Sequence, residues 1–172
     1  MKERLTPKSP AEKRIIVFSA IIALAVLALD FLTKVWVICR FKLHESVELI
    51  PGLLAFTSVR NYGAAWSILS GHIWLLSAIA VVTAVLLVVF FRKICEGCAE
   101  RYFALLLLLS GIVGNAFDRI YRGAVVDFIH VHWHNVWHYP IFNVADIAIC
   151  CGVGIFILSN CLRKSSEKEE KK

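Results

Sequence analysis

Residues 15–37 read IIVFSAIIALAVLALDFLTKVWV, and no charged side chain occurs among them before Asp30. A bilayer core is about 30 Å thick, so a helix needs about 20 mainly apolar residues to cross it. This stretch is long enough, and its apolar character continues beyond Asp30, which distinguishes it from a cleavable signal peptide. It therefore predicts a retained transmembrane helix.

Three further apolar stretches follow, at 72–91, 102–119 and 141–162. The composition agrees, since 59% of the residues are hydrophobic and the mean hydropathy is +0.71, whereas a soluble domain is about 45–50% apolar. The sequence thus predicts an all-α integral membrane protein with four transmembrane helices. We expect residues 1–164 to form one membrane domain.

The connection between the first two predicted helices is more than a linker. Residues 47–59, VELIPGLLAFTSV, are rich in strand-forming residues and are interrupted by Pro51-Gly52, a pattern typical of a short hairpin. We expect a small extracytoplasmic β-element over about 40–68, on the outer membrane surface, where an extended peptide can be held. The mixed-charge tail at 165–172 is expected to be disordered and cytoplasmic.

The net charge of +6 does not indicate nucleic-acid binding, because the basic residues lie mostly in short segments between apolar runs. Thirteen of the nineteen Lys and Arg residues lie within 1–14, 92–101 and 163–172. Cytoplasmic loops of membrane proteins carry such an excess of positive charge. Both termini are therefore predicted to be cytoplasmic, with the connections 38–71 and 118–140 outside.

Charged and amide side chains occur where a membrane helix is expected to be apolar. On insertion scales a charge near a helix centre costs roughly 2.5–3.5 kcal/mol, so such residues are functional candidates. By the predicted topology, all of them lie near the outer ends of their helices and therefore reach one depth. They are Asp30 and Lys34 on the first helix, Asn115, Asp118 and Arg119 on the third, Asp127 just beyond it, and Asp146 near the start of the fourth.

These residues permit two interpretations. On the first and third helices, opposite charges lie close together in sequence and can neutralise one another as buried ion pairs or caps. Asp127 and Asp146 are instead framed by apolar residues. Two carboxyl groups that approach in an apolar site share one proton. The ionised group then takes a proton from water while the protonated group polarises a scissile carbonyl, which indicates acid–base chemistry.

Five motifs, in order from the first helix to the fourth, resemble those of lipoprotein signal peptidase, also called signal peptidase II. Each motif is weak alone, but five in family order with a matching topology are specific. They are Asp30-Phe31-Leu32-Thr33-Lys34, Asn61-Tyr62-Gly63-Ala64-Ala65-Trp66, Gly114-Asn115-Ala116-Phe117-Asp118-Arg119, Val125-Val126-Asp127-Phe128-Ile129 and Phe142-Asn143-Val144-Ala145-Asp146. The family often has Gly-Gly where this chain has Ser110-Gly111, and serine is also small enough for close helix approach.

The resemblance implies a four-helix membrane protease with an outward-facing β-cradle and a short extracytoplasmic helix. Asp127 and Asp146 correspond to the family's catalytic aspartates. The implied substrate is a prolipoprotein whose lipobox cysteine carries diacylglycerol, cut just before that cysteine, and globomycin blocks enzymes of this kind. The family's supporting polar residues correspond to Asp30, Lys34, Asn61, Asn115, Asp118, Arg119 and Asn143.

The same resemblance places the protein in the bacterial cytoplasmic membrane, with its active site near the outer face. Its expected partners are the prolipoprotein substrates and membrane lipid, with no nucleic acid. We expect the protein to act as a monomer. Neither a metal nor another cofactor is expected.

The segment 130–138, HVHWHNVWH, permits a rival interpretation. In a strand, His130, His132 and His134 share a face, and three imidazoles with Asp127 or Asp146 could bind zinc in an intramembrane metalloprotease. The chain lacks an HExxH pattern, and interleaved Trp and His residues are typical of an interfacial belt.

The sequence permits two other interpretations, a metal site at a cysteine pair and a membrane protein that is not a protease. Cys95 and Cys98 form a lone CxxC, without the second pair or the histidine pair that a structural zinc site usually needs. A proton-coupled transporter or a scaffold subunit could also bury Asp and Lys. Transporters commonly show internal repeats and interrupted helices, and the sequence shows neither. Cleavage of a lipidated peptide by the solubilised protein separates a protease from a transporter.

Overall fold

The computed structural model of the protein describes residues 9–63, 68–134 and 136–169. Within these residues the chain is mostly helical and contains one small sheet. The helices are α1 (Pro10–Arg40), α2 (Ile73–Val89), α3 (Phe91–Cys95), α4 (Ala99–Arg122) and α5 (Val144–Glu169). The strands are β1 (Ser46–Ile50), β2 (Leu54–Asn61), β3 (Val125–Trp133) and β4 (Trp137–His138).

Among the described residues, three helices are long and apolar enough to cross a membrane, namely α1, α4 and the Val144–Arg163 part of α5. Helix α2 is apolar but only 17 residues long. The predicted stretch 72–91 corresponds to α2, which is capped at Phe90, just before the short α3 begins. Many residues of α2 are β-branched, and such residues are weaker helix formers. The prediction of a mostly helical membrane protein is confirmed, but the count of four spans is not.

The last helix differs from its prediction at both ends. Helix α5 begins at Val144 rather than at 141, because Asn143 caps it, and it continues to Glu169. The first five residues of the tail that we expected to be disordered are therefore helical, in keeping with the good helix propensity of Lys and Glu. Residues 170–172 lie outside the described residues.

The four strands form one antiparallel sheet in the order β1-β2-β3-β4. The hairpin between β1 and β2 turns at Pro51 and Gly52, where Gly52 has a φ of 72°, a conformation that favours glycine. The predicted β-element is thus confirmed, but it is larger than expected because 125–138 supplies two more strands. In the described residues of the two connections that hold the sheet, no helix is present, so the short helix implied by the resemblance is not confirmed there.

Helix α4 occupies the centre and packs against α1, α2 and α5. A Cβ on Gly111 would lie 2.3 Å from the carbonyl oxygen of Ala145, so only glycine allows α5 to pack this closely. The neighbouring Ser110 is buried and donates its hydroxyl to Leu107 O at 2.7 Å. This packing brings the start of α5 against the C-terminal half of α4, where the polar residues lie.

Candidate active site

The polar residues singled out from the sequence lie together where α1, α4, β2, β3 and the start of α5 meet. Eight of the nine are joined to one another by direct hydrogen bonds or ion pairs. Arg119 joins them through Gly63, whose carbonyl accepts from Arg119 at 3.1 Å and whose N–H donates to Asn61 at 2.9 Å. The eight directly linked residues are Asp30, Lys34, Asn61, Asn115, Asp118, Asp127, Asn143 and Asp146.

Asp127 is held in β3 by two amide donors. The pairing of β2 with β3 places Val59 opposite Asp127, which brings Asn61, two residues further on, within reach. The Asn61 side chain donates to Asp127 Oδ2 at 2.9 Å, and Asn143 Nδ2 donates to Asp127 Oδ1 at 2.7 Å. Asp127 is only 2% exposed. Its carboxyl group therefore has a fixed position in a largely dry environment.

Asp146 is held by a capping box at the first turn of α5. Its N–H donates to Asn143 Oδ1 at 2.9 Å, and its Oδ2 accepts from the Asn143 N–H at 3.1 Å, the reciprocal arrangement that defines this cap. Its Oδ1 accepts from Asn115 Nδ2 at 2.7 Å. The backbone dipoles at a helix N-terminus favour a negative charge. The structure thus offers Asp146 a setting that suits a carboxylate.

Two asparagine amides connect the two carboxyl groups. Asn143 Nδ2 donates both to Asp127 and to Asn115 Oδ1, the latter at 3.1 Å, and Asn115 in turn donates to Asp146. Asn143 is fully buried and Asn115 is 5% exposed. A short, buried chain of hydrogen bonds therefore runs from Asp127 to Asp146.

The electrostatic environment of Asp127 favours its protonated form. Burial raises the pKa of this carboxyl well above its usual range, to about 7, and the negative charge of Asp146 is the second cause. The amides of Asn61 and Asn143 act in the opposite direction, because they stabilise the charged form. Asp127 can therefore carry a proton near neutral pH.

Both carboxyl groups line one cavity of about 320 Å³. Its polar wall also includes Arg119, whose Nε is buried and has no hydrogen-bond partner among the described residues. The volume is at the lower end of typical ligand sites. Two carboxyl groups and a cation thus face one partly apolar space. The remaining lining residues are Asn61, Asn115, Val125, Tyr139, Pro140, Ile141, Phe142, Ile149 and Cys150.

A buried ion cluster adjoins the two carboxyl groups. Lys34 is 1% exposed, and its ammonium lies 2.8 Å from Asp30 and 3.0 Å from Asp118. The expected pair of Asp30 with Lys34 is therefore present. The expected pair of Asp118 with Arg119 is not, because adjacent side chains on a helix point in different directions. Asp118 pairs instead with Lys34 and with Arg122, one turn further along.

The histidines do not assemble as the strand pattern predicts. The rings of His130, His132 and His138 stack, with centroids 4.9 to 5.7 Å apart. His134 has left the strand at a φ of 46°, and its ring lies beside Gly52. Burial and the two neighbouring imidazoles lower the pKa of His130. Among the described residues, no group of three His, Cys, Asp or Glu side chains is placed to hold a metal ion.

Several residues at the site were missed from the sequence. Arg122 and Gly63 contact the cluster through the ion pair and the carbonyl described above. Cys150 follows Asp146 by one helical turn, so helical spacing alone could have placed it on the same face. Tyr139 reaches the cavity only because β4 folds back on β3, and no local signal indicates that. Ala64, Ala65 and Trp66, from one of the five motifs, lie outside the described residues.

Comparison with known proteins assigns this arrangement to a family. The family model described as signal peptidase (SPase) II matches residues 22–162. The lipoprotein signal peptidase of Listeria welshimeri is 41% identical over 138 residues, covering 80% of this chain and 89% of that protein. The lipoprotein signal peptidase of Haemophilus ducreyi is 38% identical over 152 residues, covering 86% of this chain and 93% of that protein.

Two solved structures have a similar fold, and both are described as bacterial membrane enzymes. One, solved in meso at 2.3 Å resolution, has a TM-score of 0.80 and 38% identity, and covers 90% of this chain and 93% of its own. The other, at 1.9 Å resolution, has a TM-score of 0.73 and 39% identity, and covers 83% of this chain and 91% of its own. The similarity therefore extends over the helices and the sheet together.

Proposed function

The chain belongs to the signal peptidase II family, and on that basis we propose that it is an aspartic endopeptidase whose catalytic pair is Asp127 and Asp146. It is a multi-pass bacterial membrane protein that processes the signal peptides of prolipoproteins. We propose further that its substrates carry diacylglycerol on the lipobox cysteine and that cleavage falls just before that cysteine.

The observation that carries the aspartic assignment is the pair of carboxyl groups in one cavity, linked through Asn143 and Asn115. One carboxyl is buried with a pKa of about 7, and the other sits at a helix N-terminus. Different environments for two neighbouring carboxyl groups are the usual way to obtain an acid and a base at the same pH. The proposed reaction requires neither a metal nor a cofactor.

In the proposed reaction, Asp146 accepts a proton from a water molecule as the water oxygen attacks the carbonyl carbon of the scissile bond. Asp127 donates its proton to the carbonyl oxygen, so a neutral tetrahedral diol forms without a free oxyanion. The diol then returns one hydroxyl proton to Asp127, while Asp146 gives its proton to the departing cysteine nitrogen. Both carboxyl groups end in their starting states.

The remaining polar residues are assigned supporting roles. Asn61 and Arg119 line the cavity, and we assign them contacts with the substrate backbone. Asn115 and Asn143 orient the carboxyl groups. The buried cluster of Asp30, Lys34 and Asp118 holds these elements together.

The location of the site suits a substrate anchored in the membrane. We propose that α2 is the fourth span, that both termini are cytoplasmic and that the cavity lies near the outer face, because thirteen of the nineteen basic residues lie in the three segments assigned to the cytoplasm. A reporter placed after Lys172 or within 92–101 should be cytoplasmic, and one within 42–48 should be outside. A cytoplasmic reporter in 42–48 would contradict this orientation.

The test of the proposed function is cleavage of a diacylglyceryl-modified lipobox peptide by the purified protein in detergent. We expect one cut before the lipidated cysteine, inhibition by globomycin and activity that persists in EDTA. The unlipidated peptide of the same sequence is the matched substrate control and should be cut poorly. Loss of cleavage in EDTA with recovery on adding zinc would replace this mechanism by a metal-dependent one.

A further inference from the structure

We propose that Lys34 is a positioning residue for the catalytic pair, and that its ammonium orients the Asn115 amide so that an N–H, and not a carbonyl oxygen, faces Asp146. Lys34 is buried and does not line the catalytic cavity, so it acts through Asn115 and not on the substrate. The inference rests on the proposed function, because it takes Asp146 to be the base.

The partners of Lys34 fix the orientation of Asn115. The Lys34 Nζ lies 2.8 Å from Asp30, 3.0 Å from Asp118 and 3.0 Å from Asn115 Oδ1. An ammonium group has three N–H donors and no acceptor, so the Asn115 atom that faces it must be the oxygen. The nitrogen of the same amide is then turned towards Asp146, where it donates at 2.7 Å.

The second amide is fixed by the same principle. Asn143 Oδ1 faces the backbone N–H of Asp146, which can only donate, so Asn143 Nδ2 is turned towards Asp127 and Asn115 Oδ1. The bond from Asn143 to Asn115 supports the same orientation of Asn115, but it joins two neutral groups. A bond from an ammonium is stronger, so Lys34 is the main determinant of this orientation.

The two carboxylates that hold Lys34 also hold the backbone next to each catalytic residue. Asp30 Oδ1 accepts from the N–H of Ala145 at 2.9 Å, and Asp118 Oδ2 accepts from the N–H of Val126 at 3.2 Å. Ala145 directly precedes Asp146, and Val126 directly precedes Asp127. Lys34 therefore lies at the centre of a buried frame that contacts both sides of the pair.

A charge-matched substitution tests this role. Lys34→Met alone would leave two buried carboxylates with a single cation, Arg122, and such losses are strongly destabilising. The paired change Lys34→Met with Asp30→Asn removes one charge of each sign, and Asn can still accept from Ala145. The matched control is Asp30→Asn alone, which keeps the contact from Lys34 to Asn115.

We expect the paired variant to insert and to melt within a few degrees of its control. Its kcat on the lipidated peptide should fall about 10- to 100-fold below the control, because a hydrogen bond to a charged group is lost from the reacting pair, while KM should stay within about twofold. A kcat equal to that of the control would overturn the proposal.

A double-mutant cycle separates this role from general stabilisation. If Lys34 acts through Asn115, the paired change should have no further effect on kcat in an Asn115→Ala background. If the paired change and Asn115→Ala instead lower kcat by factors that multiply, Lys34 acts independently of Asn115 and the proposal is overturned. If the paired variant does not insert, Asn115→Asp tests the donor through which Lys34 is proposed to act, since it leaves Lys34 an oxygen partner but removes the donor to Asp146. Full kcat in Asn115→Asp would also overturn it.

Two further variants distinguish a failure of the Lys34 proposal from a failure of the proposed function. If Asp127→Asn and Asp146→Asn remain active, the aspartic assignment itself is wrong. If both are inactive while the paired variant is as active as its control, only the role of Lys34 is wrong.

Discussion

The side-chain amide of Asn143 donates to Asp127 Oδ1 across 2.7 Å, although Asn143 precedes α5 and Asp127 lies in β3. The same residue caps α5 through its Oδ1, which accepts from the N–H of Asp146 at 2.9 Å. Asn143 is fully buried. One side chain thus starts a helix and joins the two carboxyl groups of the site.

Substitution of Asn143 should separate these two roles. Asn143→Ser keeps an oxygen that can cap the helix, but the shorter side chain cannot reach Asp127. We expect Asn143→Ala to lower the free energy of unfolding by about 1 kcal/mol, with a smaller loss for Asn143→Ser. Both variants should lose at least about tenfold in kcat, because Asp127 loses a donor. Full activity in Asn143→Ser would show that this bond does not matter for catalysis.

The raised pKa of Asp127 has a consequence for stability. This pKa is about 7 in the folded protein and about 3.9 in an unfolded chain. Between these values the folded state binds a proton that the unfolded state has released, so stability should fall as pH rises from about 4 to about 7. Asp127→Asn lacks this group and should lose less stability over that interval. Unfolding midpoints of both proteins in detergent test this, and parallel curves would contradict it.

The catalytic activity should also depend on whether Asp127 is protonated. Asp127 donates a proton in the proposed reaction, so kcat/KM should decline as pH rises through about 7. The measurement is the pH profile of kcat/KM on the lipidated peptide between pH 5 and 9 (about one value per half unit). A profile that stays level through neutral pH and declines only in the alkaline range would show that Asp127 is not the proton donor.

The apolar stretches could be predicted because spanning a membrane is largely a local property of about 20 residues. The polar residues could be singled out because a charge at membrane depth is costly. The partners of those residues could not be predicted, since they depend on non-local contacts. Asp118 forms an ion pair with Lys34 on another helix, and β3 pairs with β2, which lies more than sixty residues earlier in the sequence.

Some predictions were wrong because they assumed that a strand or a helix continues without a turn or a cap. Grouping His130 with His134 assumed that the strand continues, but the chain turns at His134. The helix predicted at 72–91 was extended two residues beyond Val89, because an apolar run alone does not mark where a helix ends. Turns and helix ends of this kind depend on tertiary packing that periodicity does not encode.

The contact between Gly111 of α4 and Ala145 of α5 predicts that α4 cannot tolerate a larger residue at position 111. A Cβ on Gly111 would lie 2.3 Å from a backbone oxygen, so Gly111→Ala should push the start of α5, and with it Asp146, away from α4. We expect a loss of about 1–3 kcal/mol in the free energy of unfolding and reduced kcat. Gly154→Ala is the matched control, because nothing lies within 4 Å of its Cβ position. Equal behaviour of the two variants would contradict this account of the helix contact.

The proposed roles of Asp127 and Asp146 can be tested by replacing each carboxyl group with an amide. Asn has nearly the volume of Asp and can form hydrogen bonds, but it does not exchange a proton near neutral pH. General acid–base catalysis is typically worth 10²–10⁴ in rate, so Asp127→Asn and Asp146→Asn should each abolish measurable cleavage. The double variant should be little worse than either single one, because the two carboxyl groups act as a unit. His132→Ala, in the stacked histidines outside the cavity, is the control and should have a mild effect.

The most direct measurement is kcat of purified, folded Asp127→Asn on the diacylglyceryl lipobox peptide, with thermal stability measured on the same sample. We predict a loss of at least about 100-fold with the protein still folded. More than about a tenth of the wild-type activity would contradict it, and would mean that Asp127 is a structural carboxyl group and that other residues carry out the reaction.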